Sequence, residues 1–367
     1  MEEKGSIGIP RALMFYRYFP FWHSFFEGLG WKVIVSDRVR RKEKIIYFED
    51  SCLPMKLLVT HAIQLKDKVD HLFVPRLVSI HPTYIMCPKF RGAPDIVRLA
   101  TERNVSVIDE TIDLRIGGIP FFKSFLKIGE RLGASTQDSK KAFQEAEKSF
   151  SDFQKDWMDR INRLPTGQLF ETDIPTPSPP RISPPRVPAR RTSSVAGGGG
   201  DRGERELQWR GKEIGGPLRI AFIGHPYNLF DIDINKDLPT LTKSLGMEII
   251  TSDSLSEEEI DRQISDLSKE IYWSSGREIV GSLFHFLSGG VDGVVFLTSF
   301  KCGIDALLQE FIKRRLKVRG GSPTPLLILS FDEHTGREGL TTRLEAFRDV
   351  MEEKKRISNV KVLSSNE

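Results

Sequence analysis

The chain reads as an α/β protein: two Rossmann-like (flavodoxin-like) parallel-sheet domains that face a cleft and are joined by a disordered linker. Three observations predict this. Short, β-branched apolar runs at 31–35 (WKVIV), 218–223 (LRIAFI) and 294–297 (VVFL) alternate with longer segments of helical apolar spacing. The connections between them are short, which in a βαβ chain implies parallel strands. One stretch, 165–216, breaks the alternation and divides the chain. The boundaries that follow are an N-terminal domain over 1–164, a linker over 165–216 and a C-terminal domain over 217–367.

The elements follow in order. Residues 6–9 form a first strand that stops at Pro10. Over 11–29, Leu13, Tyr16, Phe19, Trp22, Phe25 and Phe26 share one helical face, which Pro20 should kink or break. This Phe and Trp stripe is core-forming. Strand 31–35 follows, and a weaker one at 44–48 leads into Glu49-Asp50-Ser51-Cys52-Leu53-Pro54, with Pro54 suited to a first helical turn. Further strands fall at 71–75 and 105–108, with Cys87 in the loop between them and a helix over 96–101 opened by Pro94-Asp95. Helices at 121–132 and 135–164 complete this half, Ser135 and Asp138 giving the second its start signal.

Residues 165–216 include TPSPPRISPPRVPARRTSSVAGGGGDRGER, with almost no large apolar side chains to offset the entropy of ordering, so a tether is expected. The alternation then resumes: strand 218–223, helix 238–245, strand 247–250, helices 254–267 and 276–287, strand 294–297, a helix from Ile304, strand 326–330 and a helix over 337–354.

Length and charge set bounds. A chain of 367 residues exceeds one ordinary core. A net charge of +4 implies neither nucleic acid nor an acidic membrane surface. No apolar run reaches the ~18–20 residues that a membrane span needs. The first residues, MEEKGSIGIP, lack the apolar core of a signal peptide. The three cysteines, Cys52, Cys87 and Cys302, are few, distant and odd in number, which argues against a disulfide framework and for a reducing cytoplasm.

All three cysteines occupy one kind of position, a loop ahead of a helix start. That is the sheet edge where open α/β proteins bind ligands, and helix amino termini favour thiolates. Three thiolates leave two metal readings open. Zinc would need a fourth ligand, with His225 or His334 at hand, though paired C-x2-C spacing is absent. A cubane iron–sulfur cluster on three cysteines would keep one iron open.

The segments IGIPRALMFYRYFPFW, EDSCLPMKL, DHLFVPRLVS with CPKF, GHPYN, VDGVVFLTSFKCG and FDEHTGREGLTTRLEAF resemble the acyl-CoA dehydratase activase-related family. Its members are called CoA protein activases and are relatives of the iron–sulfur subunits of 2-hydroxyacyl-CoA dehydratases. The resemblance covers both ordered domains and leaves out only the linker.

The resemblance implies a [4Fe-4S] cluster on Cys52, Cys87 and Cys302. It also implies a separate ATP-dependent iron–sulfur activator as electron donor, a small-molecule substrate such as an acyl-CoA, a dimer, and an anaerobic setting. In the dehydratase relatives the reduced cluster turns the substrate thioester into a ketyl radical that expels hydroxyl. A non-catalytic electron-transfer or accessory role for a dehydratase is the alternative. The chain has no G-x4-G-K-[ST] loop, so the ATPase is expected elsewhere.

Other residues enter by position. His225, after strand 218–223, suits a proton donor or a hydrogen bond to the cluster. Glu333 lies in Asp332-Glu333-His334, where capping the next helix competes with acid–base catalysis. Glu49 beside Cys52 would carry a raised pKa if it faced the cleft, which suits a proton relay. Lys56, Arg76, Lys89 and Lys301 read as surface charge, or as partners for an anionic cluster or substrate.

Overall fold

A computed structural model describes residues 4–39, 51–115, 120–163, 216–265, 267, 271–318, 321–322 and 324–364. The linker at 165–216 (but for Gly216), the strand at 44–48 and Glu49 lie outside these. The first sheet contains β1 (Ser6–Ile9), β2 (Lys32–Val35), β3 (His71–Phe73) and β5 (Ser106–Ile108), in the order β2-β1-β3-β5 and parallel throughout. Between β3 and β5 the chain forms β4 (Arg76–Ser79), which pairs in parallel with β6 (Thr111–Asp113) in a small separate sheet.

The second sheet repeats the plan with β7 (Leu218–Gly224), β8 (Met247–Thr251), β9 (Gly293–Ser299) and β10 (Leu326–Phe331), again all parallel, in the order β10-β9-β7-β8. In both sheets the first strand is central, flanked by the second on one side and the third on the other. The switch points where ligands gather in such sheets therefore lie between β1 and β3, and between β7 and β9. Every residue of β9 is buried, as its unbroken apolar run requires.

Helix α1 (Phe15–Gly28) packs its aromatic stripe as the sequence implies. Trp22 meets Phe73 of β3 at 5.2 Å, and Phe21 meets Phe125 of α4 (Phe121–Arg131) at 4.9 Å and Phe143 of α5 (Thr136–Arg163) at 5.4 Å. Two boundaries differ from expectation. The first helix starts at Phe15, and Pro20 stands inside it without ending it. Buried Phe19, Phe21 and Trp22 around that turn outweigh one lost backbone bond. The helix expected from 96 is α3 (Pro88–Ala100), which starts directly after Cys87 and carries Pro94 inside it.

α2 (Leu53–Leu65) precedes β3. The segment after β7 is helical: α6 (Pro226–Phe230) and α7 (Ile232–Asn235) come before α8 (Leu238–Ser244). Then follow α9 (Glu257–Ile264), started by a capping box of Ser256 and Glu259, α10 (Ser274–Ser288), α11 (Gly303–Val318) and α12 (Arg337–Ser364). Leu307 on α11 is 54% exposed. Among the described residues no helix is long and apolar enough to cross a membrane.

Several contacts join the two halves, two of them next to Cys52 and Cys87. Arg17 of α1 forms a two-pronged ion pair with Glu278 of α10, at 2.8 and 2.9 Å. Lys56, buried in the first turn of α2, meets Glu333 at 2.8 Å. The chain ahead of Cys87 pairs with the other half as an isolated parallel bridge: Ile85 N–H donates to Tyr272 C=O, and Ser274 N–H donates to Ile85 C=O, both at 2.9 Å.

Candidate functional site

Three residues stand at the starts of long helices. Cys52 is the N-cap of α2, Cys87 is the N-cap of α3 with Pro88 first in the helix, and Cys302 immediately precedes α11. The carbonyl of each accepts a first-turn N–H: Lys56 to Cys52, Phe90 to Cys87 and Ala306 to Cys302. His225 caps α6 in the same manner, with Pro226 behind it. Extended backbone at Cys52 and His225, followed by proline within two residues, is what fixes these turns locally.

The four side chains converge. Cys52, Cys87, Cys302 and His225 line one pocket together with Leu13, Met55, Lys89, Phe90, Tyr227, Gly303 and Ile304. The pocket encloses about 360 Å³, its open part included, room for more than a single water. Leu13 reaches it from the turn after β1, His225 from the end of β7 and Cys302 from the end of β9. The pocket thus sits over both switch points at once.

Electrostatics follow from burial. Burial pushes the Cys52 thiol up to about 11, against the pull of Lys89 and with the push of Cys302. Burial also raises the Cys87 thiol. For His225, burial alone would lower the pKa, but the Asp305 carboxylate and the Cys302 side chain carry it well above the ordinary value. His225 Nε2 lies 2.8 Å from Asp305 Oδ1, off the line of an aligned hydrogen bond, so the contact is ionic in kind. Tyr227 stacks on the imidazole at 4.9 Å and 13°. One ligand atom each from His225, Cys302 and Asp305 fall within 4.8 Å of one another, all three residues buried.

Asp305 was not picked out from the sequence. An acid in the first turn of a helix is an ordinary partner for the helix dipole, and its spacing from Cys302 carries no signal of its own. Its other oxygen, Oδ2, accepts from Ser299 N–H at 3.1 Å. Ser299 Oγ donates to Asn228 Oδ1 at 2.7 Å, and Asn228 Nδ2 donates to Leu297 C=O at 3.1 Å. These bonds tie the ends of β7 and β9 together beneath the pocket.

Glu333 points to Lys56. Burial would raise its carboxyl, but Lys56 holds it below the ordinary range. Asp332 shapes the adjoining turn, accepting from His334 N–H at 3.0 Å and Thr335 Oγ1 at 2.8 Å. Lys56 is buried, not surface charge, and Arg76 pairs with Asp95 at 2.8 Å. Lys301 stands in the left-handed region at φ 61° in the turn that delivers Cys302. Glu49 lies outside the described residues.

The structure defines an α/β protein whose two parallel sheets share a sulfur-lined pocket. Residues 6–255 match the family model described as CoA enzyme activase uncharacterised domain, and the chain belongs to that family. Its name ties the chain to the activation of CoA enzymes, and so to a partner enzyme. The matched stretch contains Cys52, Cys87 and His225, and it ends before Cys302 and Asp305. No curated protein matches the chain.

Proposed function

We propose that this chain binds a [4Fe-4S] cluster through Cys52, Cys87 and Cys302 and takes low-potential electrons from a separate ATP-dependent iron–sulfur activator. It uses them in a reductive reaction on a small molecule such as a CoA thioester, or passes them to a dehydratase it serves. The observation that carries this reading is that the chain's three cysteines, far apart in sequence, line one pocket.

The donor set suits the group. Among the described residues its lining offers three thiols and no carboxylate, the soft chemistry that selects iron–sulfur or zinc over magnesium and calcium. When bound, such a cluster supplies one-electron chemistry at low potential. The protein's part is placement. The first-turn N–H groups of α2, α3 and α11 lie at the cysteine positions, where they stabilise thiolate charge. Lys89 offsets part of that charge, and Leu13, Phe90 and Ile304 limit water. With the Cys52 and Cys87 thiols held protonated by burial, the pocket releases protons as it takes up metal, so loading tightens as pH rises. No fourth cysteine exists, which leaves one metal position to water or substrate.

A second reading, a single soft ion on Cys302, His225 and Asp305, is favoured by the 4.8 Å spacing of their ligand atoms. Anaerobic purification with iron, sulfide and zinc analysis separates the two. About four irons per chain, lost in each of Cys52→Ser, Cys87→Ser and Cys302→Ser, is the expected result. One ion that survives Cys52→Ser but not Cys302→Ser or Asp305→Asn would establish the single-ion site. Absence of metal from the anaerobic protein would refute both.

A further inference from the structure

Three facts about His225 bear on how the pocket works. Its ring is fixed on one face by Tyr227. Its Nε2 meets Asp305, which is itself held by the Ser299 N–H. A ring nitrogen also lies within 4.8 Å of the Cys302 sulfur. At 3% exposure the ring has little access to a substrate, and it cannot turn without leaving the carboxylate. Nor does it suit a fourth iron. Ligands on different irons of a cubane stand farther apart than ligands on one ion, and His225 lies within 4.8 Å of Cys302.

We propose that Asp305 is a positioning residue: it holds the His225 ring against the sulfur of Cys302. The ring then donates a hydrogen bond to that sulfur as a metal ligand, which raises the potential at which the bound group accepts an electron. This rests on the cluster reading above. Its physical basis is that hydrogen bonds to ligand sulfur stabilise the more negative, reduced state. The carboxylate does not touch the metal in this scheme; it fixes the donor that does touch the ligand. Asp305 bridges the strand ends at the β7–β9 switch point, so the donor's place is set by the sheet itself.

The test uses the full chain, loaded anaerobically with iron and sulfide, and reads iron content and midpoint potential by redox titration followed by electron paramagnetic resonance. His225→Gln and Asp305→Asn should both retain iron. A hydrogen bond from a charged donor is stronger than a neutral one. Losing part of one should lower the reduction equilibrium about tenfold in His225→Gln, 59 mV for one electron. Asp305→Asn should shift it the same way, and the double variant should match His225→Gln, because Asp305 acts through the ring.

The sign is decisive. Removing a negative charge near the cluster would by itself raise the potential. A rise in Asp305→Asn, additive shifts, or an unchanged potential in His225→Gln would each overturn the proposal while leaving the cluster reading intact. Wild-type chain without iron would instead sink the cluster reading. Should Asp305→Asn fail to fold, Asp305→Ser, which keeps a short acceptor near the Ser299 N–H, takes its place in the same titration.

Discussion

Gly224 closes β7 immediately before His225, and its replacement by alanine gives the sharpest test of how the site is built. A Cβ at this position would stand 2.5 Å from the carbonyl oxygen of Leu297 and 3.3 Å from its Cβ. Real Cβ atoms keep at least 3.0 Å, so β7 and β9 must part by about half an ångström or more at the Gly224–Leu297 pair. Neither strand is free to move, since β8 and β10 pair with their other edges. The same Leu297 carbonyl accepts from Asn228, so the displacement also strains the bonds beneath the pocket. Overpacking a rigid core and weakening a buried hydrogen bond together cost about 2–4 kcal/mol. Gly303 is the control: it lines the pocket, but an added Cβ there meets nothing within 4 Å. At the start of α11, Gly303→Ala should be neutral or stabilise by up to ~1 kcal/mol. Equilibrium urea unfolding of both variants, followed by tryptophan fluorescence, compares them directly. A cost below about 0.5 kcal/mol for Gly224→Ala, or equal costs for the two, would refute the close-approach argument.

Two further outcomes concern the seam between the halves. Asp231 is buried; burial first, and the charge of Asp233 next, push its carboxyl up to about 7. A carboxyl whose folded pKa lies above its unfolded value binds more protons in the folded state. Stability should therefore fall as pH rises from about 4 to about 7, by up to ~4 kcal/mol for this group, and level off above. Asp231→Asn should remove that slope in denaturation series from pH 4 to 8; an unchanged slope would show that Asp231 titrates normally. Glu278→Ala deprives Arg17 of both its carboxylate contacts, from a side chain only 27% exposed. The expected loss is about 2–3 kcal/mol in urea unfolding, and no loss would mean that the pair does not hold α1 to α10.

Much of this architecture was readable from pattern. The run 294–297 is a strand because four consecutive apolar residues suit only an element buried on both faces, and parallel pairing on both sides follows from that. The shared placement of the three cysteines was likewise visible, because a βαβ chain delivers every strand-to-helix loop to the same sheet edge. Other features were hidden for physical reasons. Pro20 and Pro94 sit inside helices because tertiary packing overrides a local penalty that sequence alone would weigh more heavily. β4 and β6 are short, and their pairing depends on partners distant in sequence. Lys56 reads as surface charge until Glu333 arrives from the other half of the chain. Asp305 was invisible for a similar reason: what marks it out is the His225 ring, 2.8 Å away in space but delivered by another strand.

The pocket's dependence on both halves ties its contents to their docking. Cys52 and Cys87 come from one half, Cys302 and His225 from the other. The ion pair of Lys56 with Glu333 lies one turn from Cys52, and the Ile85–Trp273 bridge lies two residues from Cys87. These contacts join the two halves next to the cysteines, which is the pre-organisation that a site drawing ligands from both would need. The converse also holds. A group bound to sulfurs from both halves stabilises the docked arrangement by its own binding free energy, because the undocked chain offers it only part of the ligand set. The family match ends at residue 255, after β7 and before Cys302, so it takes in the strand that carries His225 but not the one that carries the last sulfur. The chain's chemistry therefore belongs to the seam between the two sheets, and neither sheet supplies the full set of sulfurs by itself.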